Sequence, residues 1–422
     1  MDCMIGKKRV VIVLLVVLMA EVSLGQTGAD STEVFPEKVK YRGAVEELAA
    51  LPGKLVYMPF FVALYTTRQV AEAIWEKRAL DRVKGWLTTA DGRAGVRPLS
   101  NTSIGSGVRF FHKQFVFGAD ANLTSTLGKG SGRQQHLFSL GWKKGEVRGG
   151  DFFAVAHFRR EPKESFHGIG NNSGIADKTS FAQEDLYVKF SYGRRLGSQL
   201  NIDTELDYHA IDIGVGKSRE APPTQSVYAP GQLPGLGETV RFIKAATVVR
   251  SQIVDVPGSP TRGNRSYARL RYDRALGEAF SHFNILVTSE QFTELFYRRT
   301  LALRLGSEWS FAPGNDVVPF YGLASLGGEE ILRGYQRGRF RDRGSVFAAL
   351  TYKFPLWKVV DGTLFYEGGR TLRAPGDFTL SRWHGTFGGS LRAWRAQGLV
   401  FEQVIARSSA ATRLLFNFKT VF

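Results

Sequence analysis

Charged side chains recur at every second position along several long segments of the 422-residue chain. Asn201, Asp203, Glu205 and Asp207 alternate with Leu200, Ile202, Thr204, Leu206 and Tyr208. Arg269, Arg271 and Asp273 alternate with Ala268, Leu270 and Tyr272, and Arg304 and Glu308 sit among Leu301, Leu303, Leu305 and Trp309. A period of two places the charges on one face of a strand and the apolar residues on the other. Asp203, Arg269, Arg271 and Arg304 then share a polar surface of the kind that lines a conduit. Other chemistry is poorly served. The seven histidines, among them His112, His157, His209 and His384, show no metal-ligand spacing, and no HExxH, Walker A or GxSxG motif occurs. Gly168-Ile169-Gly170 and Gly235-Leu236-Gly237 lack the strand-to-helix context of a nucleotide fingerprint. No catalytic residue, cofactor or metal site is expected. A barrel lipase with Ser, His and Asn on separate strands stays open as a minor alternative.

The elements that position these charges follow from the rest of the chain. Lys7, Lys8 and Arg9 precede an apolar run from Val10 to Ala20, followed by Ser23-Leu24-Gly25, the layout of a secretory signal over residues 1–25. Its removal takes the single Cys with it, which excludes a disulfide framework and a cysteine zinc site. The net charge of +17 first suggests nucleic acid. Export argues against that partner. After the signal no run approaches the length of a membrane helix, which excludes a helical bundle. Residues 26–94 read as a helical N-terminal segment, with Phe60, Phe61, Leu64, Tyr65, Ala71, Ile74 and Trp75 near a 3.6 period after Pro59. Whether that helix covers a core, lies on a membrane or enters a pore stays open.

From 95 to 422 the period is two, in segments of about ten residues, long for a soluble sandwich and suited to crossing a bilayer. Sixteen such strands can be counted. In lipid a sheet must close on itself to satisfy its backbone, so the expected fold is all-β, a 16-stranded antiparallel transmembrane β-barrel preceded by a short helical segment. The long connections, 161–181, 211–238 and 310–344, follow strands five, seven and eleven. They fall on one face, as the outer loops of outer-membrane barrels do. The last strand ends on an aromatic. Phe416, Phe418 and Phe422 share a face with Leu414, a terminal pattern suited to delivery to the outer-membrane assembly machinery.

The third long connection holds Leu326-Gly327-Gly328-Glu329-Glu330-Ile331-Leu332-Arg333-Gly334-Tyr335 and then Phe340-Arg341-Asp342-Arg343-Gly344. Downstream stand Phe365-Tyr366-Glu367-Gly368-Gly369 and the glycine-rich Gly385-Thr386-Phe387-Gly388-Gly389-Ser390-Leu391-Arg392. These segments resemble the signature of the BamA/TamA superfamily, the bacterial surface antigen family: a GG element, an (V/L)RG(F/Y) tetrad, an RDRG-like segment and an FxDxG strand, here with Glu for Asp. The resemblance is strong over about 325–422, weaker back to about 95 and absent before. It matches a short subgroup without POTRA modules.

The resemblance implies a 16-stranded barrel whose loop folds into the lumen. The loop motif would be Leu332, Arg333, Gly334, Tyr335 and Asp342, and the partner of Arg333 would be Glu367 on a strand marked by Phe365 and Gly369. An arginine in a confined lumen needs a carboxylate, and its planar fork grips one well. Gly334 would allow close backbone approach, and Tyr335 would pack on the wall. The family also implies a non-enzymatic role in outer-membrane protein or lipid assembly or translocation, with an unfolded protein or a lipid as substrate; the alternative is a passive or gated diffusion pore. Some of Lys163, Arg219, Arg337, Arg339, Arg341 and Arg343 in the loops offer partners for outer-membrane lipids, including lipopolysaccharide phosphates, and the remaining basic residues would line the lumen opposite carboxylates.

Overall fold

The computed structural model describes residues 87–418, apart from 102–104, 128–131, 148–149, 230, 358 and 396–397. The expected signal, almost all of the expected helical segment and Phe422 lie outside the described residues. Sixteen strands form one antiparallel sheet. They are β1 (Ala94–Asn101), β2 (Gly105–Val116), β3 (Ala119–Leu127), β4 (Gln134–Val147), β5 (Gly150–Phe166), β6 (Thr179–Leu196), β7 (Leu200–Val215), β8 (Thr239–Val254), β9 (Gly263–Ala275), β10 (His282–Phe296), β11 (Arg299–Phe311), β14 (Gly344–Trp357), β15 (Val360–Leu372), β16 (His384–Arg395), β17 (Gly398–Ser408) and β18 (Thr412–Phe418). Two short strands, β12 (Ala324–Leu326) and β13 (Phe340–Asp342), make a separate hairpin within the connection from β11 to β14.

Each barrel strand pairs with its sequence neighbour, so every ladder is local in order and antiparallel. Alternation then sorts the side chains. On β8, Val240, Phe242, Lys244, Ala246 and Val248 are buried while Arg241, Ile243, Ala245 and Thr247 are exposed. The outer face carries a continuous apolar row across adjacent strands: Leu303 pairs with Leu350, Leu350 with Tyr366, and Tyr366 with Phe387. Leu303, Leu350, Tyr366 and Phe387 are all exposed, which is costly in water and favourable against lipid.

The inner face neutralises its own charges. Asp203 pairs with Arg250, Arg271 Nε lies 2.7 Å from Asp273, and Arg159 Nε donates to Asp185 at 2.7 Å. Arg269 donates to Asn284 at 2.9 Å and lies 3.7 Å from Glu308. Arg304 stands over the Phe347 ring and 4.0 Å from Glu330. On the long-loop side the strands β5 to β8 share a buried apolar cluster. Phe166, Phe181, Ile211, Ile213, Val240 and Phe242 bury an apolar dome there together with Leu233 and Phe320 from the loops. The short helix α1 (Thr224–Val227) closes against it, with Thr224 and Thr179 hydroxyls 3.0 Å apart.

Candidate functional site

The β12–β13 hairpin carries the loop back into the barrel. Leu326, Leu332, Tyr335 and Phe340 bury themselves against Phe347 of β14, so the loop has an apolar core of its own. Leu332 is held at φ 50°, a left-handed conformation that a branched side chain adopts only when its surroundings demand it. That turn points the next residue, Arg333, at the wall.

There Arg333 meets three groups. Its Nε donates to Glu367 Oε1 at 2.7 Å, and its own backbone N–H donates to Glu367 Oε2 at 2.8 Å. The guanidinium lies flat over the Phe365 ring, 3.6 Å from its centroid. Glu402 on β17 stands 3.7 Å from Nη1 and is held in turn by Ser390 Oγ at 3.0 Å. Glu367 is 1% exposed, so its charge must be met inside the protein, and Arg333 of the loop meets it. One carboxylate thus binds both the side chain and the backbone of one arginine, which fixes the loop in position and in orientation.

The other motif residues seat the same loop. Gly334 lies flush on β17: its carbonyl accepts from Ser408 Oγ at 2.9 Å, and a Cβ there would sit 2.8 Å from Ser408 N. Tyr335 reaches Ser409 Oγ at 2.9 Å and packs edge-on to Phe340. Gly369 leaves room for the hairpin, since a Cβ would meet Leu326 at 3.0 Å. Asp342 is buried and accepts the Arg343 N–H at 2.8 Å, which organises the exit into β14. Phe416 lies on the outer face, packed against Ala393 and Phe401.

Further residues complete the site. Arg413 on β18 donates to the carbonyls of Gly328 and Arg333 at 3.2 and 3.1 Å and also to that of Tyr335. His384 stacks on Phe340 at 3.7 Å and contacts the Asn171 carbonyl at 2.8 Å. Arg339, one of the six loop cations of which some were expected to meet an outer polyanion and the rest to face the lumen, is buried and donates to Ser173 O at 2.6 Å. Its role is to tie two loops together, because a buried guanidinium must satisfy its donors inside the protein. A signal for Arg413 was present in the sequence: it shares the inner-face parity of Leu415 on the last strand.

The shape matches a known family. The Omp85 superfamily domain model matches residues 116–396. This chain belongs to the Omp85 superfamily. Such barrels reside in the outer membrane, which places the long loops outside and the short turns in the periplasm. The fold is similar to that of BamA from Haemophilus ducreyi lacking POTRA domains 1–3, at a TM-score of 0.55 and 12% identity, over 83% of this chain and 77% of that one. CdiB from Acinetobacter baumannii aligns at a TM-score of 0.45 and 10% identity, over 76% of this chain and 57% of that one. No curated relative matches the sequence.

The outer loops of this Omp85 barrel also contain a titratable group with a predictable effect. His167 is buried above the dome, and burial together with Arg339, Lys178 and Arg341 pushes its pKa down to about 4. The unfolded value is near 6.5, so folding holds the ring neutral. The stability it contributes is complete above the unfolded value and is lost as pH falls through the folded one. Amide hydrogen exchange over residues 167–178, corrected for its intrinsic pH dependence, should therefore accelerate between pH 6.5 and 4. A His167→Gln variant should flatten that rise, and an equal rise in the variant would exclude the histidine as its cause.

Proposed function

We propose that this barrel inserts or translocates protein or lipid substrates of the outer membrane through the seam between β1 and β18. The observation that carries the reading is the state of that seam. β1 and β18 lie beside each other, yet no ladder joins them among the described residues. Their other edges are paired throughout, from Ala94↔His112 to Asn101↔Gly105 on one side and from Phe401↔Phe418 to Arg407↔Thr412 on the other. An unpaired edge in lipid is costly and offers its hydrogen bonds to any incoming strand. Among the described residues the loop braces the β18 lip of the seam, where Arg413 of β18 and Ser408 of β17 hold it. β18 is therefore the lip that the loop fixes.

Unfolded outer-membrane protein fits such an edge through strand addition, and the assembly machinery is the natural partner. Exposed Arg219 and Arg343 are suited to lipopolysaccharide phosphates at the rim. A cysteine at Val96 combined with cysteines scanned along β18 tests the reading. Oxidative locking should abolish insertion of a reporter barrel into liposomes, and reductant should restore it. A locked protein with undiminished activity would exclude the seam route.

A further inference from the structure

On the periplasmic face the turns are short, and one connection departs from them. Between β8 and β9 the chain runs from 255 to 262, whereas the other described turns of that face include 117–118, 197–199 and 297–298. This longer turn is a built structure. Asp255 accepts the N–H groups of Thr261 and Arg262 at 2.8 and 3.2 Å and also the Thr261 hydroxyl. Arg265 donates to the Pro257 carbonyl at 2.8 Å. Its tip, Gly258–Thr261, is buried although it joins two strands at the rim.

What buries the tip lies across the wall, beyond β10 and β11. Lys353 of β14 donates to Ser259 Oγ at 2.7 Å and to the Pro260 carbonyl. The Ser259 hydroxyl donates to Asp361 of β15. Lys353 and Asp361 both face inward and are both buried. In register Lys353 stands opposite Thr363 while Asp361 stands opposite Pro355, so the two charges are diagonal neighbours. Diagonal partners on adjacent strands are within reach of a long side chain. Ser259 is therefore inserted between a cation and an anion that can pair directly once it leaves. The rim supports the same geometry, with Arg262 at 2.8 Å from Glu294 and Arg298 at 3.8 Å from Asp361.

We propose that residues 255–262 are a strap closing the periplasmic mouth of the lumen, and that it opens by exchanging the Ser259 contacts for a direct Lys353–Asp361 ion pair. The exchange leaves both buried charges with a polar partner, so neither state carries the penalty of an uncompensated buried charge. The strap is thus a two-state element, separate from the outer loop held by Glu367.

The full chain with Cys3→Ser and Pro260→Cys, reconstituted in vesicles with the turns outward, provides the test. The rate of labelling by a bulky maleimide reports how often the tip leaves the lumen. Ser259→Ala removes only the inserted hydroxyl and should raise that rate about tenfold, the change expected for loss of one charge-assisted hydrogen bond. Lys353→Met with Asp361→Asn removes the pair that the open state would form as well as the closed contacts, so it should raise the rate less than Ser259→Ala does, and a rise as large would overturn the exchange; Ser259→Ala should also increase conductance in planar bilayers. Heat-modifiable mobility on gels checks that each barrel is folded. Unchanged labelling in folded Ser259→Ala and in the folded double variant would overturn the strap.

Discussion

Replacing Glu367 with Gln should free the outer loop from the lumen and expose residues 325–344 to trypsin, which has Arg337, Arg341 and Arg343 to cut there. The carboxylate accepts two hydrogen bonds from one residue, at 2.7 and 2.8 Å. An amide offers one acceptor, and its NH2 would face an N–H donor, so one contact becomes repulsive. Arg333 then keeps its guanidinium on Phe365 but has no carboxylate closer than Glu402 at 3.7 Å. Removing one partner of a buried ion pair costs about 3–5 kcal/mol, against a ring contact of about 2 kcal/mol when desolvated. The loss outweighs what remains. Glu367→Asp keeps the charge and should fall between the two. Cleavage of Glu367→Gln at the wild-type rate would show that the apolar cluster of Leu332, Tyr335 and Phe340 holds the loop alone.

The barrel was legible because the bilayer enforces a rule at every strand. The alternation around Leu206 and Asp207, or Leu270 and Arg271, has only one closed solution once the segments reach spanning length. The count of sixteen and the side of the long loops followed from that. The residues that meet at Arg333 were legible for a different reason, since a motif arginine and a motif carboxylate are marked by type. What could not be read was contact set by closure rather than by pattern. Lys353 reaches Ser259 across a sequence separation of 94 residues, and nothing in either segment names the other. Which of the loop cations would be buried, as Arg339 is, could not be read because sequence shows a charge and not its surroundings. Behind the strand wall a cation turns inward when a neighbouring loop presents carbonyls, as Ser173 does.

Substituting Gly334 is expected to have the second large effect, for a steric reason. Its backbone does not occupy the left-handed region, where Leu332 at φ 50° is found, so alanine is conformationally acceptable there. The obstacle is β17. A Cβ would lie 2.8 Å from Ser408 N and 2.9 Å from Arg407 C, both main-chain atoms inside a ladder. Neither can retreat without disrupting the pairs that β17 makes with β16 and β18. The loop must move instead, which lengthens the Ser408–Gly334 bond and withdraws the carbonyls that Arg413 binds. Gly334→Ala should cost about 1–3 kcal/mol through overpacking, and Gly334→Val more, because its branches meet the same wall. Trypsin cleavage of the loop and the melting temperature of the heat-modifiable form read the effect. Combined with Glu367→Gln, Gly334→Ala should add less than its single effect, since a loop already released no longer presses on Ser408. Full additivity would mean that Gly334 stabilises β17 independently of the loop, and the close approach would then belong to the wall alone.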